Sequence, residues 1–174
     1  MRHLEGVLVG AWQSACDSGE RKFPSEFLFQ ALRTPGMVDE FQINPEDSWV
    51  LAAMEADIPV YTPGWEDSTT GNIFVANIVK GRVNSHLCVK SGTEQFQHLL
   101  EWYIERTTED DPSSSVGLFQ IGGGIAGDFA ICAAPCILQD LKEHVPTWGY
   151  FAQITDAVSS YGGYSGAVPE EKIT

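Results

Sequence analysis

One short segment constrains the fold of this 174-residue chain more than any other. Residues 116–121 (Val-Gly-Leu-Phe-Gln-Ile) read as a buried strand, and Gly122-Gly-Gly-Ile-Ala-Gly127 follows, ahead of an apolar helix expected over residues 128–141. Gly122, Gly124 and Gly127 meet the Gly-x-Gly-x-x-Gly spacing directly after a strand and before a helix, the setting a dinucleotide-binding turn requires. Bare backbone lets a pyrophosphate approach, and a helix start supplies N–H donors. The same glycines also serve close helix–strand packing alone. Asp128 sets a negative charge at the helix start. A ribose-binding acid is expected after the next strand, and Asp156 occupies that end.

The rest of the chain reads mainly as helix and strand in alternation. Asn44-Pro45-Glu46-Asp47 is a helix start, with Asn as cap, Pro at the first position and acids in the first turn. It predicts a helix to about Ala56, and residues 58–61 follow as a short strand. Residues 72–80 read as a helix closed by Gly81. Residues 93–106 carry Phe96, Leu99, Leu100, Tyr103 and Ile104 as one apolar stripe, and residues 150–155 form a last strand. Strands separated by helices imply crossovers and a mostly parallel sheet. The expectation is a single α/β domain over residues 1–174, Rossmann-like, with flanking helices.

In such sheets ligands bind beyond the carboxyl ends of the strands. Three loops leave those ends, after Tyr61, Ile121 and Thr155. The first holds Glu66 and Asp67 beside Trp65, a pairing that suits an ammonium ligand through charge and cation–π attraction. Its hydroxyls equally suit a helix cap, by Ser68 or Thr70. The third is rich in Gly and Tyr and ends in Glu170 and Glu171. Ser165 lacks the final glycine of a nucleophile elbow, since Ala167 stands there, so a serine hydrolase is rejected.

With 10 basic against 24 acidic residues, the formal charge is −14. That surface repels phosphate backbones, which argues against nucleic acid, and attracts cations such as polyamines. Cys16, Cys88, Cys132 and Cys136 make no zinc framework and read as reduced and cytoplasmic. Cys132 and Cys136, four apart in an apolar run, point to one buried helix face. The four histidines are scattered, so no metal is expected, and His98 reads as a rim residue on its helix. The Trp102-Tyr103 pair reads as core. No Walker A sequence is present, no run reaches membrane-span length, and Glu5 breaks any signal peptide.

At these loops the sequence resembles the deoxyhypusine synthase family, including its bacterial deoxyhypusine-synthase-like members. The matching stretches are Gly19-Glu-Arg-Lys-Phe-Pro24, Pro63-Gly-Trp-Glu-Asp-Ser-Thr-Thr-Gly-Asn-Ile-Phe74, Phe119-Gln-Ile-Gly-Gly-Gly-Ile-Ala-Gly-Asp-Phe129 and Ser160-Tyr-Gly-Gly-Tyr-Ser-Gly-Ala-Val-Pro-Glu-Glu-Lys-Ile-Thr174. The resemblance implies a cytoplasmic, homotetrameric NAD enzyme. Such an enzyme oxidises spermidine and passes its aminobutyl group to a lysine of the hypusine-containing translation factor.

It implies NAD contacts at Asp67, at Gly123 beside the motif glycines Gly122 and Gly124, and at Asp156 and Ala157. It implies cofactor or polyamine contacts at Gly162, Gly163 and Tyr164, and a pocket glutamate at Glu171. Asn72 stands where eukaryotic members have a spermidine-binding aspartate, Asp128 where they have a proton-transferring histidine, and Tyr164 where they have another aspartate. A carboxylate at 128 still accepts a proton, with an ordinary pKa near ~3.9 rather than ~6.5. These departures admit transfer to a small amine such as putrescine, as in a homospermidine synthase.

The family's nucleophilic lysine belongs to a Trp-Gly-Lys motif just after the segment ending at Thr174, and Lys172 is not its counterpart. The expectation is therefore a chain truncated at both ends relative to the family and inactive alone. A non-catalytic fragment that binds partner subunits is the reading from a different class.

Overall fold

The computed structural model describes residues 2–42, 44–109, 114–158 and 166. The chain divides into two compact units, Met1–Gly92 and Thr93–Thr174.

The described part of the first unit is helical. Helix α1 (Arg2–Ser18) carries Leu8, Ala11, Trp12 and Ala15 at three- and four-residue spacings, so one face is apolar and buried. Gly19, at φ +74°, closes it. Helix α2 (Pro24–Leu32) begins with proline at its first position, where no N–H partner is lost, and the Glu26 carboxylate accepts the Phe23 N–H at 2.5 Å. Phe27 and Ala31 of α2 join α1 in the core, together with Phe74, Val83 and Cys88. Trp12 meets Phe27, Trp65 and Phe74 edge-on, at centroid separations of 6.4, 6.5 and 5.1 Å.

Two expectations fail in this unit. The helix predicted from Asn44 is interrupted. Asn44 caps only the 3-10 turn Pro45–Asp47; Ser48 then turns extended and its hydroxyl accepts Leu51 N–H, starting α3 (Trp49–Glu55) afresh. Residues 58–61 form no strand. Pro59 offers no N–H, and the segment is held instead by Ser25 Oγ donating to the Val60 carbonyl at 2.6 Å. The loop after Tyr61 therefore does not leave a strand end. Helix α4 (Thr69–Val79) forms close to its predicted place.

In the second unit, α5 (Gly92–Ile104) turns Leu99 and Tyr103 inward, and Tyr103 donates to the Pro146 carbonyl at 2.7 Å while its ring meets Trp148. His98 is exposed, as expected. Strands β1 (Gly117–Ile121) and β2 (Tyr150–Ile154) pair in parallel, from Gly117 opposite Tyr150 to Ile121 opposite Ile154. Between them run α6 (Ile125–Ile131), a helical turn Ala133–Pro135 and a wide π-turn Cys136–Leu141. Parallel strands need such a crossover.

The single helix expected over 128–141 thus begins earlier and is broken at Cys132, ahead of Pro135. Cys132 is exposed and Cys136 half-exposed, so they do not share a buried face. The molecule is mixed α/β. Among the described residues its sheet has two strands, and helix and strand alternate only in the second unit. No described helix is long and apolar enough to cross a membrane.

Candidate functional site

The glycine turn leaves β1 for α6 and is anchored to β2 as well. Gly122 N–H donates to the Ile154 carbonyl at 2.7 Å, carrying the β1–β2 ladder one step beyond the strands. Gly122 and Gly124 both sit at φ +80°, a region closed to most side chains. A Cβ at either would have no neighbour within 4 Å among the described residues, so conformation, not crowding, requires glycine there and the backbone stays open. Gly127 is different. A Cβ on it would lie 2.5 Å from Gln120 Nε2, so this glycine lets α6 approach β1. The turn thus divides its labour as a dinucleotide-type motif does, with two glycines for backbone shape and exposure and a third for helix–strand contact.

Two strand residues that hold this turn escaped the sequence reading. Gln120 and Gln153 lie opposite each other in the ladder, and their amides both donate to the Gly122 carbonyl, at 3.1 and 2.9 Å. Gln120 is buried. A lone amide inside each of two apolar strands was the available signal, because a buried polar side chain needs a specific partner.

Asp128 lies in α6, with its N–H on the Gly124 carbonyl at 3.2 Å. Desolvation, and then the Asp128 carboxylate one helical turn away, push the Cys132 thiol pKa up. Asp156 and Ala157 follow β2 directly, and Ala157 N–H donates to Thr155 Oγ1 at 3.1 Å. The turn Gly122–Gly124, Asp128, Asp156 and Ala157 therefore all belong to the second unit's crossover or its strand ends. Gly162, Gly163, Tyr164 and Glu171 lie outside the described residues.

Asp67 and Asn72 belong to the first unit. Gly64, at φ +65°, starts the 3-10 turn Trp65–Asp67, on which Glu66 and Asp67 are exposed. Ser68 Oγ accepts Gly71 N–H at 3.0 Å and donates to the Trp65 carbonyl at 2.6 Å, so Ser68 is the cap of α4. Gly71 is required here, because a Cβ would fall 2.3 Å from the Trp65 carbonyl oxygen. Asn72, exposed on α4, donates to the Ser68 carbonyl at 2.7 Å. The Trp65 ring packs against Trp12 and Phe74, and its Nε1 donates to Thr70 Oγ1 at 3.0 Å. The ring is thus a core element that also lines an apolar cavity of about 190 Å³ with Trp12 and Trp49.

Fold and turn together define a mixed α/β protein with a glycine-rich turn on a parallel crossover. The deoxyhypusine synthase family model matches residues 36–174, and the chain belongs to that family. It is 31% identical over 130 residues to a deoxyhypusine synthase-like protein of Thermosynechococcus vestitus, covering 75% of this chain and 31% of that protein. It is 32% identical over 138 residues to one from Cyanothece, covering 78% and 34%, and 30% identical over 126 residues to one from Coxiella burnetii, covering 72% and 33%. The chain thus spans about a third of the length of these relatives. No solved structure matches it significantly.

Proposed function

We propose that this chain carries part of an NAD-dependent transferase of the deoxyhypusine synthase type, on a Rossmann-like scaffold. Its reaction moves the aminobutyl group of spermidine, or of a related polyamine, to an amine acceptor. The observation that carries the reading is the glycine turn. Gly122 and Gly124 hold open backbone at φ +80°, and Gly127 seats α6 on β1. That arrangement suits a pyrophosphate, and family membership makes NAD the cofactor to test.

When bound, NAD would supply a hydride acceptor for oxidation of the amine. The chain's own residues would do the rest. Gln120 and Gln153 fix the Gly122 carbonyl and so the course of the turn. Gly123, Asp156 and Ala157 would complete the cofactor contacts at the strand ends, and Asp67 is assigned a cofactor contact by the family resemblance alone. Asn72, Gly162, Gly163, Tyr164 and Glu171 would line the polyamine side, and Asp128 would accept a proton. An acidic chain of charge −14 favours a polycation over a phosphate polymer. The lysine of a translation factor is the first acceptor to test, and Asn72 and Tyr164, standing where other members have acids, make a small amine the second.

The test is calorimetric titration of NAD into the folded 174-residue chain, with and without spermidine, beside Gly124→Val and Asp67→Ala. Saturable binding, abolished by Gly124→Val and weakened by Asp67→Ala with circular dichroism unchanged, is the expected result. A folded sample that takes up no NAD overturns the proposal and leaves a non-catalytic, partner-binding piece.

A further inference from the structure

Cys16 and Cys88 are distant in sequence but converge on one atom. Cys16, in the last turn of α1, donates its S–H to the Ser85 carbonyl at 3.4 Å, and Cys88 donates to the same oxygen at 3.5 Å. Both sulfurs thus lie within 3.5 Å of one oxygen, the Ser85 carbonyl. Both belong to the packed core of the first unit, Cys88 within it and Cys16 at its margin. Ser85 is itself fixed, since its hydroxyl accepts Leu87 N–H at 3.1 Å at the start of the turn His86–Cys88. Neither thiol has a part in the proposed transfer.

We propose that Cys16 and Cys88 form a redox modification site, closing to an intramolecular disulfide when hydrogen peroxide reaches Cys16. Exposure orders the two roles: Cys16 is half-exposed, whereas Cys88 is 2% exposed. Burial, and then the neighbouring Cys16 thiol, push the Cys88 pKa up to about 12, so it is the poorer first nucleophile.

In the first step the Cys16 thiolate attacks one peroxide oxygen. The O–O bond breaks, hydroxide leaves and takes a proton from solvent, and Cys16 becomes a sulfenic acid. In the second, the Cys88 sulfur attacks the Cys16 sulfur. The S–S bond forms, the S–O bond breaks, and water leaves with the Cys88 proton. Two thiols lose two electrons in total, and the peroxide is reduced to two waters.

The remaining cysteines are poorly disposed for the same step. Cys132 and Cys136 are one helical turn apart, with Cys136 N–H on the Cys132 carbonyl at 3.0 Å. Residues so spaced hold their Cβ atoms about 5–6 Å apart. A disulfide needs about 3.5–4.5 Å. The Cys16–Cys88 bond, by contrast, would tie the end of α1 to the residue before Val89, which bridges Lys22.

The experiment treats the full chain with dilute hydrogen peroxide, quenches with catalase, and reads intact mass and unreduced peptide maps. Expected are the loss of two hydrogens, a Cys16–Cys88 linked peptide that dithiothreitol reverses, and a higher unfolding midpoint for the oxidised chain. Cys16→Ser, at the half-exposed position, should abolish the linked peptide and the midpoint shift, and serves as the control if Cys88→Ser fails to fold. Oxygen gained at Cys16 without a cross-link overturns the proposal. So does a linked peptide containing Cys132 or Cys136, or oxidation that spares Cys16.

Discussion

The Gly122 carbonyl is where single residues set the geometry of the candidate cofactor turn. It takes two side-chain amides, from Gln120 at 3.1 Å and Gln153 at 2.9 Å, while the N–H of the same residue extends the ladder to Ile154. One hydrogen bond of this kind contributes about 0.5–1.5 kcal/mol, and the half-buried Gly122 carbonyl loses more when both amides are gone than when one remains. Gln120→Ala and Gln153→Ala should each therefore destabilise mildly, because the other amide remains. The double variant should exceed the sum of the singles by roughly 1 kcal/mol, the interaction expected of neighbours sharing one partner. Urea unfolding of the four proteins measures this, and strict additivity would show that the two amides do not share the load.

At the scale of elements, α5, α4 and the two strands form close to where the sequence predicts them. Helix α5 has its apolar stripe. Helix α4 has a hydroxyl cap and a closing glycine, and β1 leads directly into a glycine turn. Residues 58–61 had apolar composition alone, and composition cannot supply the neighbouring strand that a ladder needs. The break at Ser48 was hidden by a stronger cap signal just upstream at Asn44. Helices α1 and α2 went unassigned although their spacing and Pro24 carry helix signals. Of the candidate site, the glycines were legible because their spacing is local. The paired glutamines were not, since their partner is chosen by strand register.

Tyr103 shows what an element contact adds to stability. It is fully buried, ties α5 to the Pro146 carbonyl, and desolvation raises its pKa to about 12. Below its ordinary value of about 10 the phenol is protonated in both folded and unfolded chains. Between about pH 10 and about pH 12 the unfolded chain releases a proton that the folded chain keeps, so stability falls as pH rises. Tyr61 and Cys88, also raised to about 12, act in the same direction. Urea midpoints of wild type and Tyr103→Phe should converge over that window, with the variant falling less steeply; parallel decline would mean that phenol burial is not the source.

For the whole molecule, two features oppose each other. A charge of −14 keeps copies apart, while one face of the β1–β2 pair presents Phe119, Ile121, Tyr150 and Ile154 at 60–76% exposure. These residues lie on one side because the ladder sets Gly117, Phe119 and Ile121 opposite Tyr150, Ala152 and Ile154. Parallel sheets are ordinarily covered on both faces, and a chain spanning about a third of its relatives' length leaves much of the family's polypeptide uncounted.

Repulsion between chains reaches about 10 Å at ~0.1 M salt and about 3 Å at ~1 M, whereas apolar attraction is not screened. The chain should therefore stay dispersed at low ionic strength and associate as salt is raised, measured by light scattering. Replacing Phe119 and Ile154 together by Thr keeps strand-compatible residues while removing the apolar contact, so it should suppress association and leave the urea midpoint nearly unchanged. Association that persists in the double variant would move its cause to another exposed surface, such as Val79 and Leu87 in the first unit.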